Sequence, residues 1–410
     1  MSERVVVVGA GLAGAKTVEA LREGGFAGSV VLFGSETEVP YERPALSKGY
    51  LTGDDARDSV FVHPASWYAE HDVDLRTGTT VAAVDLGARD VLDGSGMRTG
   101  WDHLVLATGS EPHRLPVPGA DLAGVHALRT LDDSDRLRAA FGAGGRVVVI
   151  GGGWIGLETA AAARRAGCEV SVVLRAQLPL VSVLGPEAAA VFADLHRGQG
   201  VDLRSRAEVA RLVAAGDGTR VGAVELEDGT LLDADTVVVG IGAAPRTDLA
   251  ASVGLAVDDG VLVDTHLRSS HPRVLAVGDI ARAQHRFLGA HVRVEHWANA
   301  LNEPASAAAT ILGRDEPYDR LPYFYTDQYD LGMEYIGWVG PGGYDEVVVR
   351  GDLEGRECIV FWLRAGRVLA GMNVNVWDVV DDIERIIRSR AVVDRERLAD
   401  TDVPLGNVAR

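Results

Sequence analysis

The sequence predicts an α/β protein with two parallel βαβ units and a C-terminal α+β segment. Three observations carry that prediction. A strand, glycine turn, helix, strand pattern occupies residues 5–33, and a second copy occupies residues 146–174. Near residue 320 the texture changes to short aromatic strands separated by turn signals.

In the first copy "VVVVG" reads as a strand, Gly9, Gly11 and Gly14 as a turn, Ala15 to Arg22 as an amphipathic helix and "SVVLF" as the next strand. The second copy repeats this with "RVVVIG", then Gly151, Gly153 and Gly156, helix "LETAAAARRAG" and strand "EVSVVL". Between them "HLVLATGS" ends in a tight turn, and the Pro-rich "PHRLPVPGA" suits a domain crossover. The strand-like "ADTVVVGIGAAPRT" closes the second unit near residue 245, and "RVLAVGDIAR" is a further apolar strand ending in Gly278-Asp279. The tail reads as strands "YFYTDQY", "MEYIGWVG", "YDEVVVRG", "CIVFWLRAG" and "RVLAGMNV", followed by the helical "VVDDIERIIRSR". The expected domains are 1–112 with 245–318, 113–244, and 319–410.

At 410 residues the chain is too long for one core, which agrees with that division. A hydrophobic content of 47% and a charged content of 24% are ordinary for a globular protein. No apolar run reaches membrane-spanning length, and a strand beginning at Arg4 leaves no room for a secretory leader, so a cytoplasmic location is expected. Cys168 and Cys358 lie far apart, which argues against a disulfide framework or a dithiol centre. The eleven histidines form no metal-ligand spacing, so no metal is expected. A net charge of −19 argues against nucleic acid or an acidic membrane as partner, since both are polyanions.

Each glycine turn has a physical reading. One glycine permits the tight turn, one lets backbone approach a pyrophosphate, and one lets helix pack on strand, with phosphates at the helix N-terminus. Two such turns in the required context predict two dinucleotide sites. Glu36 lies about 20 residues past the first turn, where an acid holds ribose hydroxyls. In the second copy that place holds Leu174 and Arg175. Losing the acid removes repulsion of a 2′-phosphate, and a guanidinium offers it charge-assisted contacts, so the pair leans toward NADPH. The alternative is an exposed arginine following a strand.

The ordered set of the first glycine unit, "PYERPALSKGYL", "LVLATGS", "GGGWIGLE", "VLAVGDIA" and "VEHWANALNEP" resembles the FAD-dependent ferredoxin reductases that serve oxygenases. The resemblance covers essentially the whole chain and implies a glutathione-reductase-like two-dinucleotide-domain flavoprotein with a C-terminal α+β domain. It implies that Gly9, Gly11, Leu12, Ala13, Gly14 and Glu36 hold FAD, and that Gly151, Gly153, Trp154, Ile155, Gly156, Arg175 and Gly242 serve NAD(P)H. Arg43, Pro44 and Lys48 match positions beside the isoalloxazine, where a fixed cation favours the electron-rich reduced flavin. Thr108 and Gly109 would bring backbone against FAD. Asp279, after Gly278, would hydrogen-bond the ribityl chain, as a buried aspartate requires a partner. Glu295, His296 and Trp297 match the family's flavin contacts. The helix read from Trp297 would aim its positive end at the pyrimidine ring, with a kink or a late start near 303 because of Pro304. Glu158, read in the first turn after Gly156, matches the carboxylate that meets the nicotinamide and pairs with the lysine. Lys48, Glu158 and Trp297 are thus the implied catalytic residues.

Hydride from NAD(P)H to FAD, then single electrons to an iron–sulfur protein, is the reaction the resemblance implies. The partner would be a small acidic ferredoxin, received on a locally basic face, and the electrons would go on to an oxygenase. Arg282, His285, Arg286 and Arg293 offer such a face; a solvated loop is the other reading. Disulfide reduction and single-cysteine peroxide reduction are disfavoured because neither has its cysteine in place. An NAD(P)H oxidase, a rubredoxin reductase, a nitrite-reductase component and a flavoprotein like apoptosis-inducing factor remain alternatives on the same scaffold. Monomer and homodimer are both open.

Overall fold

Arg4–Val8, one arginine and four valines, is the central strand of a parallel sheet, and Val5, Val6 and Val7 are fully buried. Such β-branched runs suit a strand covered on both faces. The strand order is Val274–Ala276, His103–Leu106, Arg4–Val8, Ser29–Phe33, Val73–Arg76. All four pairings are parallel. The computed structural model describes residues 3–216 and 218–408. These cluster into two compact units. The first holds the described residues up to Arg43, with Arg57–Glu111 and Ala244–Tyr323; the second holds Pro44–Ala56, Pro112–Ala243 and the described residues from Phe324 onward. The loop carrying Lys48 therefore groups with the second unit.

In the first unit the helix after the glycine turn is Leu12–Glu23, starting three residues before the expected Ala15. Its first turn is uncharged and buried, so amphipathic periodicity becomes visible only later in the sequence. The Trp297–Ile311 helix packs along it. This helix starts at Trp297 and runs unbroken through Pro304, so the late start near 303 is not present. Proline removes one N–H bond, but buried residues before it, Ala298 and Asn299, and after it, Ala307, Ala308 and Ile311, hold the helix in place on both sides.

The second unit repeats the architecture with strand order Asp202–Ser205, Glu169–Leu174, Arg146–Ile150, Thr236–Val239, Val125–His126, again all parallel. Its helix Trp154–Arg165 follows the second glycine turn. From Phe324 onward the same unit contains a five-stranded antiparallel sheet, whose first strand begins at Tyr323, ordered Tyr323–Gln328, Leu331–Gly337, Arg367–Val374, Glu357–Arg364, Glu346–Asp352. The Val380–Ser389 helix covers it with Ile383, Ile386 and Ile387. Trp362, fully buried in this sheet, donates its indole N–H to the Leu184 carbonyl at 3.0 Å. That bond ties the sheet to the Val181–Gly198 helix.

Candidate active site

The two glycine turns are built alike. Gly9 and Gly151 both sit at φ +116°, a conformation side chains rarely adopt. A Cβ there would lie 2.1 Å from the Ala107 and Gly240 carbonyl oxygens respectively. Gly14 and Gly156 let helix meet strand: a Cβ would fall 1.9 Å from Gly9 O and 2.3 Å from Gly151 O. Gly11 and Gly153 differ, since a Cβ on either meets nothing within 4 Å. These middle glycines are the N-caps of twelve-residue helices, and neither has a side chain capping the helix. Open space over uncapped N–H groups is what a pyrophosphate needs, so both turns fit dinucleotides. Leu12 and Ala13 are buried in the first helix, whereas Ile155 is 43% exposed beside Gly153.

Around the first turn, Glu36 accepts from the Tyr41 hydroxyl at 2.5 Å and from Arg43 Nη2 at 2.9 Å. The carboxylate predicted to hold ribose is thereby fixed in place. The Thr108 hydroxyl donates to the Arg246 carbonyl at 2.8 Å, and Gly109 turns the chain at φ +67°. Trp297 donates its indole N–H to Glu42 at 3.0 Å, and His296 is the extended N-cap of its helix. Asp279 is half-buried, where the sequence reading expects a buried group; it lies in a short 3-10 turn, Gly278–Ile280, between two buried residues. The neighbouring Glu303 is one residue that sequence reasoning missed. It is 1% exposed, and its carboxyl accepts the Gly278 N–H at 2.6 Å and the Asn299 amide at 3.2 Å. Burial raises it to about 8. Sequence gives a faint signal, an acid on the apolar face of a helix.

In the second unit the Lys48 ammonium lies 2.7 Å from Glu158 Oε1. Because the helix starts at Trp154, Glu158 stands in its second turn rather than its first. Helix-end electrostatics therefore give way to specific partners. Ser47 donates to Oε2, and the Thr326 hydroxyl donates to Oε1 at 2.5 Å. The chain continues from Gln328 Nε2 to Thr326 at 3.2 Å, with His196 Nε2 at 2.8 Å from Gln328 Oε1. Pro44 opens the 3-10 turn Pro44–Ser47 that presents this lysine. The Ser134 hydroxyl donates to Leu46 O at 2.9 Å, and the Tyr50 hydroxyl donates to Asp135 at 2.5 Å, anchoring the loop. Thr326 and Gln328 were legible only as alternating polar residues in "YFYTDQY"; both face inward.

Trp154 joins an aromatic cluster with Phe192 and Phe324, at centroid distances of 5.4 and 5.0 Å. Gly242 turns at φ +97° and accepts the His113 N–H at 2.9 Å. Arg175 is 81% exposed, with Glu208 Oε2 3.8 Å from its Nε.

The four basic residues from 282 to 293 lie in and beside a hairpin, Ala281–His285 with Ala290–Val292. The hairpin divides them. Arg293 has a 12% exposed side chain, clamped by Asp259 at 3.0 Å and Glu295 at 2.7 Å. Arg282 pairs with Asp258, and His285 is buried against the Arg320 carbonyl at 2.9 Å. Arg286 is exposed.

Comparison with known proteins agrees with this geometry. Residues 3–303 match the pyridine nucleotide-disulphide oxidoreductase family, and residues 323–409 match the reductase C-terminal family. Putidaredoxin reductase of Pseudomonas putida is 37% identical over 410 residues, covering 99% of this chain and 97% of that protein. The ferredoxin–NAD(+) reductase component of an anthranilate 1,2-dioxygenase system from Burkholderia cepacia is 40% identical over 404 residues, 98% of each chain. Among solved structures, the covalent putidaredoxin reductase–putidaredoxin complex superposes with a TM-score of 0.94 at 37% identity, covering 99% of this chain and 98% of that one. The ferredoxin reductase for the CYP199A2 system of Rhodopseudomonas palustris gives 0.95 at 35% identity, covering both chains fully. The chain belongs to the pyridine nucleotide-disulphide oxidoreductase family, with the FAD-dependent NAD(P)H:ferredoxin reductases of oxygenase systems.

Proposed function

We propose that this protein carries electrons from NAD(P)H through FAD to a small acidic ferredoxin that serves an oxygenase or a haem monooxygenase. The observation that carries the reading is the duplicated glycine turn, one in each unit, each with open space above an uncapped helix N-terminus. When bound, FAD supplies the conversion between hydride and single-electron transfer.

The protein's own residues bind and orient. Gly11 with the Leu12–Glu23 helix, Glu36, Arg43, Thr108, Gly109 and Asp279 hold FAD, while Gly153 with the Trp154–Arg165 helix, Ile155 and Gly242 hold NAD(P)H. Lys48 supplies a fixed positive charge to the reduced cofactor, and Glu158 holds the ammonium in place. Cys168 and Cys358 are buried thiols, far apart in sequence, so the chain offers no dithiol relay. A division into a split FAD domain, an NAD(P) domain and a C-terminal domain fits the three larger sheets. Arg175 favours NADPH over NADH. No helix among the described residues is long and apolar enough to cross a membrane. The two cysteines, far apart in sequence, support the cytoplasmic location we infer. Ferredoxin docks on the hairpin face that presents Arg286.

The test is NAD(P)H-dependent reduction of cytochrome c by the FAD-loaded protein, with and without an added [2Fe–2S] ferredoxin. Reduction that requires the ferredoxin is expected. Rapid oxygen consumption with no carrier present would instead make the protein an NAD(P)H oxidase.

A further inference from the structure

Arg175 alone is a thin reader of a phosphate dianion, but the fold places a second guanidinium on the same rim. The loop after Leu174 is tied to the glycine turn, because the Leu180 N–H donates to Gly152 O at 3.0 Å. A Cβ on Gly152 would lie 3.3 Å from both Leu174 and Pro179, so this loop borders the nucleotide turn directly. The segment after the Asp202–Ser205 strand runs beside it. The Arg206 N–H donates to Ala176 O at 3.0 Å, and the Ala207 N–H donates to Leu174 O at 3.1 Å.

Arg206 adopts φ +55°, an uncommon backbone for a side-chain-bearing residue, and is exposed. Its Nη2 donates to Gln177 Oε1 at 2.7 Å, which aims the guanidinium at the loop carrying Arg175. Glu208, two residues on, meets Arg175 at 3.8 Å. That pair is long and solvent-exposed, hence weak, and an incoming anion would displace it readily. Two arginines against one carboxylate leave the rim net positive. The sequence separates these groups by about thirty positions, and the pairing of adjacent parallel strands brings them together.

We propose that Arg206 is a second specificity-determining residue of the nucleotide site, forming with Arg175 a two-guanidinium clamp for the 2′-phosphate of NADPH, which Glu208 opposes. This rests on the NADPH reading above. A phosphomonoester dianion accepts several N–H bonds at once, and two planar donors satisfy it far better than one.

The experiment uses the oxidised, FAD-loaded protein and titration calorimetry with adenosine 2′,5′-bisphosphate and with 5′-AMP. Wild type is expected to bind the bisphosphate more tightly. Arg206→Gln should lower the ratio of the two affinities by about tenfold to a hundredfold, the scale of a lost charge-assisted bond. Glu208→Gln should raise the ratio. If the Gln variant fails to retain FAD, Arg206→Lys, which keeps the charge but not the fork, should give a smaller fall. An unchanged ratio in the Arg206 variants, with collapse in Arg175→Gln, would overturn the role of Arg206 and leave the NADPH reading intact. Tighter binding of 5′-AMP by wild type would overturn both.

Discussion

Lys48 and Glu158 stand 110 positions apart in sequence and 2.7 Å apart in space, with the carboxylate side chain 3% exposed and the lysine 16%. Glu158 also accepts hydroxyls from Ser47 and Thr326, so its two oxygens gather three donors. Glu158→Gln keeps an acceptor but loses the charge, and Glu158→Ala leaves all three donors without it. We predict that the alanine variant loses on the order of 2–4 kcal/mol of stability and the glutamine variant about half as much, measured by urea denaturation. Equal stability of the two variants would show that the hydroxyl contacts contribute nothing.

The three glycines of each turn have separable jobs. Gly153→Val meets open space, so it should fold with its FAD spectrum intact while NAD(P)H binding weakens at least tenfold. Gly156→Val must push against the Gly151 carbonyl and should cost several kcal/mol, with little folded protein recovered. Thermal melts and nucleotide titration of the two variants distinguish these outcomes. Normal nucleotide affinity in a folded Gly153→Val would remove the turn from the binding site.

Glu303 makes stability depend on pH. Its folded value is about 8 against 4.5 in the unfolded chain, owing to burial, with Asp279 adding repulsion and Tyr318 also nearby. Between those values the folded state binds more protons than the unfolded one, so this group's contribution is full below about 4.5 and is lost as pH rises through 8. Glu303→Gln keeps an acceptor for the Gly278 N–H and abolishes the titration. Its stability relative to wild type should therefore rise by on the order of a few kcal/mol from pH 5 to pH 9. A pH-independent difference between the two melting curves would contradict the assignment.

Docking should be sensitive to Arg286, the exposed arginine of the hairpin. Arg286→Glu is predicted to raise the KM for ferredoxin several-fold relative to that for ferricyanide, and more at low salt than at high. Arg293 is a poor site for the same test, because reversing it would set three carboxylates together with Asp259 and Glu295. Parallel changes for both acceptors would remove Arg286 from the docking face.

Much of the fold was legible because its signals are local. Valine runs, glycine spacing and alternating aromatic strands each report their own structure within about ten residues. The glycine turns were legible in their own motifs, as with Gly9 and Gly151, whereas Lys48 was singled out only through the resemblance that the ordered set of motifs carries. Contacts that depend on long-range pairing were not. Thr326 on Glu158, Arg206 beside the Arg175 loop and Gly278 on Glu303 join segments that sequence spacing cannot bring together. The helix through Pro304 shows the same limit from the other side, since local preference for a break yielded to packing. Arg293 looked like a free cation in sequence because its partners Asp259 and Glu295 lie on either side of a hairpin yet to be formed.

Anaerobic single turnover tests the central claim most directly. The FAD-loaded protein is bleached with one equivalent of NADPH, then mixed in a stopped-flow instrument with two equivalents of an oxidised [2Fe–2S] ferredoxin. The account predicts that the flavin absorbance returns as the iron–sulfur absorbance falls, two clusters reduced per flavin. A flavin that stays bleached beside ferredoxin and recovers only when oxygen is admitted would contradict it.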